Sequence, residues 1–271
     1  MLESSPLGKN SIYETKYNPK LIFSIPRELK RSEVGIDDKN PGFYGVDIWN
    51  HYELSWLNLN GKPCVGLGEI SYLANTPNII ESKSMKLYFN SFNGTKFASE
   101  QDVINTAIND LSKAVGSKVN FILLPIDSSG KYGKLNGYCL DMLDVQCNIY
   151  QPHPEYLTCS NDIITEELYS NLLKSNCPMT NQPDWGSIYI KYTGQQIDKY
   201  GLLKYIVSLR DHNEFHEQCI ERIFYDIKKY CAPSELTVYA RYTRRGGIDI
   251  NPYRTTNKNF IVPENIRSVR H

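Results

Sequence analysis

The feature that most constrains this chain is an internal repeat. Asn60-Gly-Lys-Pro63 precedes an extended stretch from Val65 to Tyr72, and Asn181-Gln-Pro183 precedes another from Ser187 to Tyr192. A short helical pattern then follows in each half. Met85, Tyr88, Phe89 and Phe92 stand at i, i+3, i+4 and i+7, and Leu202, Tyr205, Ile206 and Leu209 repeat that spacing 117 residues later. Apolar residues at this spacing fall on one helical face. Phe97 answers to Phe215, and a second, longer stripe follows each: Val103, Ile104, Ala107, Ile108, Leu111, then Cys219, Ile220, Ile223, Phe224, Ile227. Ser99 and Asp102 resemble a capping box ahead of the first long helix, and Gly116 stands where a left-handed cap would end it. β-rich runs, Val119 to Leu124 and Leu236 to Tyr242, close the pattern. Four elements recurring in matching order read as a duplication. Each half is therefore expected to run strand, strand, helix, helix, strand, strand, an α+β unit, with the boundary near residues 150–160, where Pro152 and Pro154 interrupt the chain. The sequence reading takes 41–155 as the first module, 156–271 as the second, and the polar residues 1–40, broken by Pro6, Pro19 and Pro26, as an N-terminal arm.

Composition removes several function classes. Of the 271 residues, 41% are hydrophobic and 22% charged, enough apolar material to exclude a disordered chain. Lys+Arg and Asp+Glu each total 30, so the basic excess expected of a nucleic-acid coat is missing and no direct nucleic-acid partner is expected. No apolar run reaches the length of a membrane span, and the N-terminus lacks a charged segment followed by an apolar one. The seven cysteines are odd in number, irregularly spaced and without a CxxC pair, so they read as reduced thiols of a cytoplasmic protein with no metal site.

Four segments stand out chemically. In Asn176-Cys-Pro-Met-Thr-Asn-Gln-Pro-Asp-Trp185, a cysteine precedes an aspartate by seven residues on a loop stiffened by Pro178 and Pro183. A thiolate is a strong nucleophile, and a carboxyl group can hand a proton to the atom that becomes negative when it adds. A buried structural cysteine with a turn aspartate fits the same spacing. In Phe215-His-Glu-Gln-Cys219, the carboxylate at a helix start either answers the helix dipole or accepts two ring N–H donors of a guanine-like edge. Ile80-Glu-Ser-Lys-Ser-Met-Lys-Leu-Tyr88 crowds polar residues into a first helical turn, where N–H groups, Lys83 and Lys86 suit a phosphate or simply a solvated helix start. Arg244-Arg-Gly-Gly-Ile-Asp-Ile-Asn251 reads as a tight cationic turn for phosphate or as a hairpin turn on a sheet edge. Gly66-Leu-Gly68 lies inside a strand pattern with no helix after it, which removes a Rossmann fingerprint.

Together the segments Glu81–Tyr88, Cys177–Asp184, Phe215–Glu217 and Arg244–Pro252 resemble the NADPH-dependent 7-cyano-7-deazaguanine reductases, nitrile reductases of queuosine biosynthesis, in their longer two-module form. The resemblance covers about residues 40–255. It implies tandem tunnelling-fold modules, each an antiparallel sheet with two helices on one face. It implies reduction of a nitrile to a primary amine with two NADPH, in a homodimer. It implies Cys177 as the nucleophile of a covalent thioimide and Asp184 as the proton donor. Ile80, Glu81, Ser82, His216 and Glu217 would contact the deazapurine, and Ser82, Lys83, Arg245 and Gly246 would contact NADPH.

Two other readings stay open on the residues alone. A cyclohydrolase-like or pterin-synthase-like enzyme on the same fold would need zinc held by His or by Cys and His, and this chain has five His and no HxH pair. A purine-binding module without catalysis would keep Cys177 as a structural residue. Cys219, three residues after His216, is expected on the same helical face and could form a protective disulfide with Cys177.

Overall fold

The computed structural model describes residues 13–128 and 132–271, so the first twelve residues of the expected arm lie outside the described residues. The chain gathers into two compact units. The described parts of residues 1–30, 48–129 and 244–249 form the first, and those of 31–47, 130–243 and 250–271 form the second.

Neither unit is contiguous, in contrast to the linear modules read from the repeat, and buried ion pairs give the reason. In the second unit Arg31 clamps Glu221 through two 2.8 Å hydrogen bonds. Arg254 donates to the same carboxylate at 2.8 Å and meets Asp47 at 2.8 Å. All four side chains are almost completely buried. A buried charge left without its partner is strongly destabilising, so residues 31–47 are bound to the unit that carries Glu221 and Arg254. In the first unit, Asp249 accepts from Asn50 Nδ2 at 2.7 Å and from the Tyr52 hydroxyl at 2.5 Å, which fixes the turn that follows Arg244.

In the first unit, β1 (Ser24–Pro26) pairs antiparallel with β4 (Asn78–Ile80). β3 (Pro63–Leu73) pairs antiparallel with β5 (Val119–Leu124) and neighbours β2 (Tyr44–Leu57), whose residues from Ile48 onward belong here. α2 (Ser82–Asn90) and α3 (Glu100–Val115) follow, α3 packing on β5. Val103, Ala107 and Leu111 of the expected stripe are fully buried, Ile104 and Ile108 are half-buried, and Val115 extends the buried face. Ser99 caps α3 by accepting from Asp102 N at 3.2 Å, and Gly116 ends it at φ 75°. α1 (Arg27–Glu33) leads out of β1.

In the second unit, β10 (Ile248–Thr255), whose residues from Ile250 onward belong here, β9 (Glu235–Tyr242), β8 (Pro183–Ile197) and β7 (Cys159–Asn176) stand side by side, with β9 antiparallel to both neighbours and β8 antiparallel to β7. A short β6 (Tyr138–Cys139) adds a parallel bridge to β7. The helices are α4 (Lys199–Ser208) and α5 (His216–Cys231). This half follows the expected order of elements throughout. The first half departs from it at the end. β5 is its last long strand, and the two residues of β6 pair in the second unit, because residues 125–150 carry Pro125, Gly130, Gly133 and Gly137 and no sustained alternation.

The duplication reaches single hydrogen bonds. Tyr88 of α2 donates to Asp110 of α3 at 2.8 Å, and Tyr205 of α4 donates to Asp226 of α5 at 2.6 Å. The Ser91 hydroxyl donates to Tyr88 O at 2.6 Å, and that of Ser208 donates to Tyr205 O at 2.7 Å. Glu81 and Asp198 occupy the same cap position, each accepting two backbone N–H groups. Each unit thus has an antiparallel sheet and a helix pair joined by the same buried polar contact, the α+β arrangement expected of a tunnelling-fold module.

Candidate active site

The cysteine lies where β7 turns into β8. Asn176 pairs with Pro183 and Ser175 with Asp184, so residues 177–182 form the hairpin tip. Cys177 N donates to Gln182 O at 2.9 Å, and Asn181 N donates to Cys177 O at 3.1 Å. Asn181 adopts φ 55°, a left-handed conformation that asparagine tolerates better than most residues. A second segment braces this tip. Asn176 N donates to His212 O at 2.8 Å, and Glu214 N donates to Asn176 O at 3.1 Å, a parallel bridge that lays residues 212–214 beside the loop. The Asn213 amide donates to Cys177 O at 3.3 Å and to Asn181 Oδ1 at 3.1 Å. Glu214 is fixed in turn by Arg222, whose Nε and Nη2 reach its Oε1 at 2.9 and 2.5 Å. Phe215 and His216 therefore enter α5 directly next to the cysteine loop.

This bracing sets His216 beside the base of the hairpin. His216 Nε2 lies 3.4 Å from Asp184 Oδ2, and its Nδ1 lies 3.4 Å from Ile250 O. The imidazole stacks on Tyr242 with ring centroids 3.8 Å apart and planes 9° from parallel. Cys177 is 8% exposed and Asp184 4%, so the loop offers its thiol and carboxyl in a nearly dry setting. Glu217 is buried in the first turn of α5. Cys219 is fully buried, and burial, with the charge of Glu214, pushes its thiol up to about 12. It stays protonated near neutrality, which leaves Cys177 as the nucleophile candidate here. Both are free thiols.

The remaining candidates lie in the first unit. Ile80 ends β4 opposite Ser24 and is buried. Glu81 is fully buried and caps α2, Oε1 accepting from Lys83 N at 2.7 Å and Oε2 from Ser84 N at 2.8 Å. Burial raises its pKa even though these N–H groups, Lys86 and Lys83 work in the other direction. The expectation that the N–H groups of this helix start could take a phosphate is corrected here: two of them already hold a carboxylate. The lysine side chains are placed otherwise. Lys83 and Lys86 line a cleft of about 280 Å³ together with Gly246, His51 and Glu53. Gly246 (φ 60°) and Gly247 (φ 78°) form the tip of the Arg244–Ile248 turn. A side chain at Gly246 would be strained in backbone and would press on Lys86 Cδ at 3.3 Å. A cationic cleft beside a bare backbone turn suits the phosphate-bearing part of a dinucleotide. Ser82 is half-buried as the first residue of α2, and Arg245 is half-buried in the turn.

The structure thus unites Cys177, Asp184 and His216 in one unit, and Lys83 and Gly246 at one cleft of the other. Sequence reading missed Tyr242, Asn213 and His51. Tyr242 ends a strand and looks like core. Asn213 bonds across a loop that only the fold closes. His51 sits in an alternating strand, and burial lowers its pKa to about 4, so it is a neutral wall of the cleft.

A buried cysteine hairpin and a lysine-lined cleft in a repeated α+β chain are compatible with a reductase, and comparison supplies the class and the family. Residues 13–123 match the model described as nitrile reductase, 7-cyano-7-deazaguanine-reductase N-term, and residues 183–260 match that of QueF-like protein. A relative from Legionella pneumophila (strain Lens), named NADPH-dependent 7-cyano-7-deazaguanine reductase, is 52% identical over 98% of this chain and 94% of its own length. Relatives of the same name from Ralstonia nicotianae and Dechloromonas aromatica are each 53% identical, over 99% and 98% of this chain and 98% and 95% of theirs. The chain belongs to the family of NADPH-dependent 7-cyano-7-deazaguanine reductases. A solved structure, the archaeosine synthase QueF-Like in its apo form, aligns with 35% of this chain and 94% of its own at a TM-score of 0.31 and 15% identity.

Proposed function

We propose that this chain reduces the nitrile of 7-cyano-7-deazaguanine to the aminomethyl group, consuming two NADPH, through a covalent thioimide on Cys177. The observation that supports this reading is the β7–β8 hairpin, which carries the buried Cys177 at its tip and the buried Asp184, with His216 3.4 Å away, at its base. Family membership supports the substrate and the cofactor.

A nitrile carbon accepts hydride poorly. Addition of the Cys177 thiolate forms the S–C bond, and the nitrogen takes a proton from Asp184, giving a C=N bond of lower barrier. His216, in contact with Asp184, is placed to return a proton to that carboxylate. NADPH, when bound, supplies hydride to the carbon, once to the thioimide and once to the imine left after the thiol departs. Lys83, Lys86, Arg245 and Gly246, with Ser82, would hold its phosphates in the first unit, and His216 and Glu217 of the second unit would contact the deazapurine. Burial around Cys177 keeps water from an imine that would otherwise hydrolyse.

On the same reading the enzyme works in the cytoplasm as a homodimer, and residues 41–155 and 156–271 descend from one ancestral module. Among the described residues no helix is long and apolar enough to cross a membrane. NADPH oxidation on addition of the cyano-deazapurine tests the activity. Tight binding without oxidation would leave a purine-binding module instead.

A further inference from the structure

We propose that Tyr242 is a positioning residue for this reaction: its ring is the plate that fixes the plane of His216 and so aims Nε2 at Asp184. This rests on the assignment of Cys177, Asp184 and His216 as the reacting pocket.

The geometry argues for the plate. The two in-plane contacts of the imidazole, to Asp184 Oδ2 and Ile250 O, are both 3.4 Å long. Contacts of that length hold a ring weakly, and the second side-chain torsion of histidine has a broad preference. The face of the ring is held much more closely, 3.8 Å between centroids at 9°. Among the described residues every other aromatic pair is edge-on or tilted, the usual outcome of core packing. The parallel stack is therefore specific to this pair.

The surroundings hold the plate still. Tyr242 is fully buried, and its N–H donates to the Asn251 side chain at 3.0 Å. It pairs across the sheet with Gly186, two residues beyond Asp184. A Cβ at position 186 would come within 3.2 Å of the Tyr242 ring, so glycine there leaves room for the ring to lie flat. Burial, then the neighbouring Cys219, drives the phenol well above its ordinary pKa, so it stays neutral. Its buried hydroxyl makes no hydrogen bond among the described residues. The ring face, not the hydroxyl, is what His216 uses.

The test is a set of adduct-formation rates, measured by mass spectrometry with cyano-deazapurine and no NADPH. It compares wild type, Tyr242→Phe, Tyr242→Leu, His216→Ala and the Tyr242→Leu/His216→Ala double variant. Tyr242→Phe keeps the plate and should react close to the wild-type rate. Tyr242→Leu should react about 10–10²-fold more slowly, the scale of a misaimed group, with the KM for NADPH unchanged in turnover. The double variant should be no slower than His216→Ala, because Tyr242 acts through His216. A Phe variant as slow as Leu, a Leu variant at the wild-type rate, or a double variant slowed by the product of both factors would overturn the proposal. So would a His216→Ala enzyme of wild-type rate. Should Tyr242→Leu fail to fold, Tyr242→Met fills the space without a flat ring and takes its place. Failure of the underlying pocket has its own mark: an adduct that survives in Cys177→Ala.

Discussion

Tyr205 donates a 2.6 Å hydrogen bond to Asp226 between the two helices of the second unit, and Tyr88 makes the same bond to Asp110 in the first. Each tyrosine hydroxyl is buried, and each carboxylate would be left in an apolar helix interface without it. Tyr205→Phe should cost about 1–3 kcal/mol, the penalty of a buried acceptor left unsatisfied. Tyr88→Phe should cost less, because Tyr17 also donates to Asp110, at 2.7 Å. Denaturant unfolding of the two variants checks the order.

The repeat made these helices legible. Spacing alone located α2 to α5, the Ser99 cap and the Gly116 terminus, because a stripe of period 3.6 has few other ways to bury itself. The Cys177 loop was legible as a Cys–Asp spacing but not as a hairpin braced from elsewhere in the chain. Its closure depends on Asn213 and on the bridge from residue 176 to residue 213, contacts whose partners are 36 or 37 residues apart with no local signal. Tyr242 was invisible because a strand tyrosine reads the same whether it stacks on a histidine or on a leucine. The placement of 31–47 was hidden for a related reason: Arg31 looks like any surface arginine until Glu221, 190 residues on, is seen beside it. Glu81 was read as a ligand contact, and a cap is the first use the fold makes of it.

Glu214 gives the loop a pH dependence. Burial alone would raise its pKa, but bonds from His212 and Arg222 outweigh it and hold the carboxyl below the usual range. Its folded pKa is thus below the unfolded one, so its stabilisation is present above the unfolded value of about 4.3 and is lost as pH falls through the folded value. Glu214→Gln should lower stability by about 1–3 kcal/mol at pH 7, with the gap to wild type closing as pH falls below the unfolded value of about 4.3. Unfolding curves on both sides of that value read this directly. A constant gap would assign the loss to shape, not charge.

Asp184→Asn keeps the size of the side chain and removes its proton. If Asp184 is the donor, adduct formation should slow by about 10²–10⁴-fold with the fold unchanged. A rapid-mix measurement on a variant with normal melting behaviour decides it. A wild-type rate would pass the proton to another group of the pocket, with His216 the nearest in place.

Arg245 immediately precedes Gly246, which lines the cleft of Lys83 and Lys86, and this adjacency carries a cofactor prediction. Arg245→Ala should raise the KM for NADPH about tenfold or more, the scale of a lost charged hydrogen bond, and that for NADH far less. Equal changes with both cofactors would show that Arg245 does not meet the extra phosphate.

The central claim is that Cys177 bonds to the substrate. Mixing the protein with cyano-deazapurine in the absence of NADPH, followed by intact-mass and peptide mass spectrometry, tests it most directly. The account predicts addition of the full substrate mass on the peptide containing Cys177, and no addition in Cys177→Ala. An adduct that persists in Cys177→Ala, or full turnover by that variant, would contradict it.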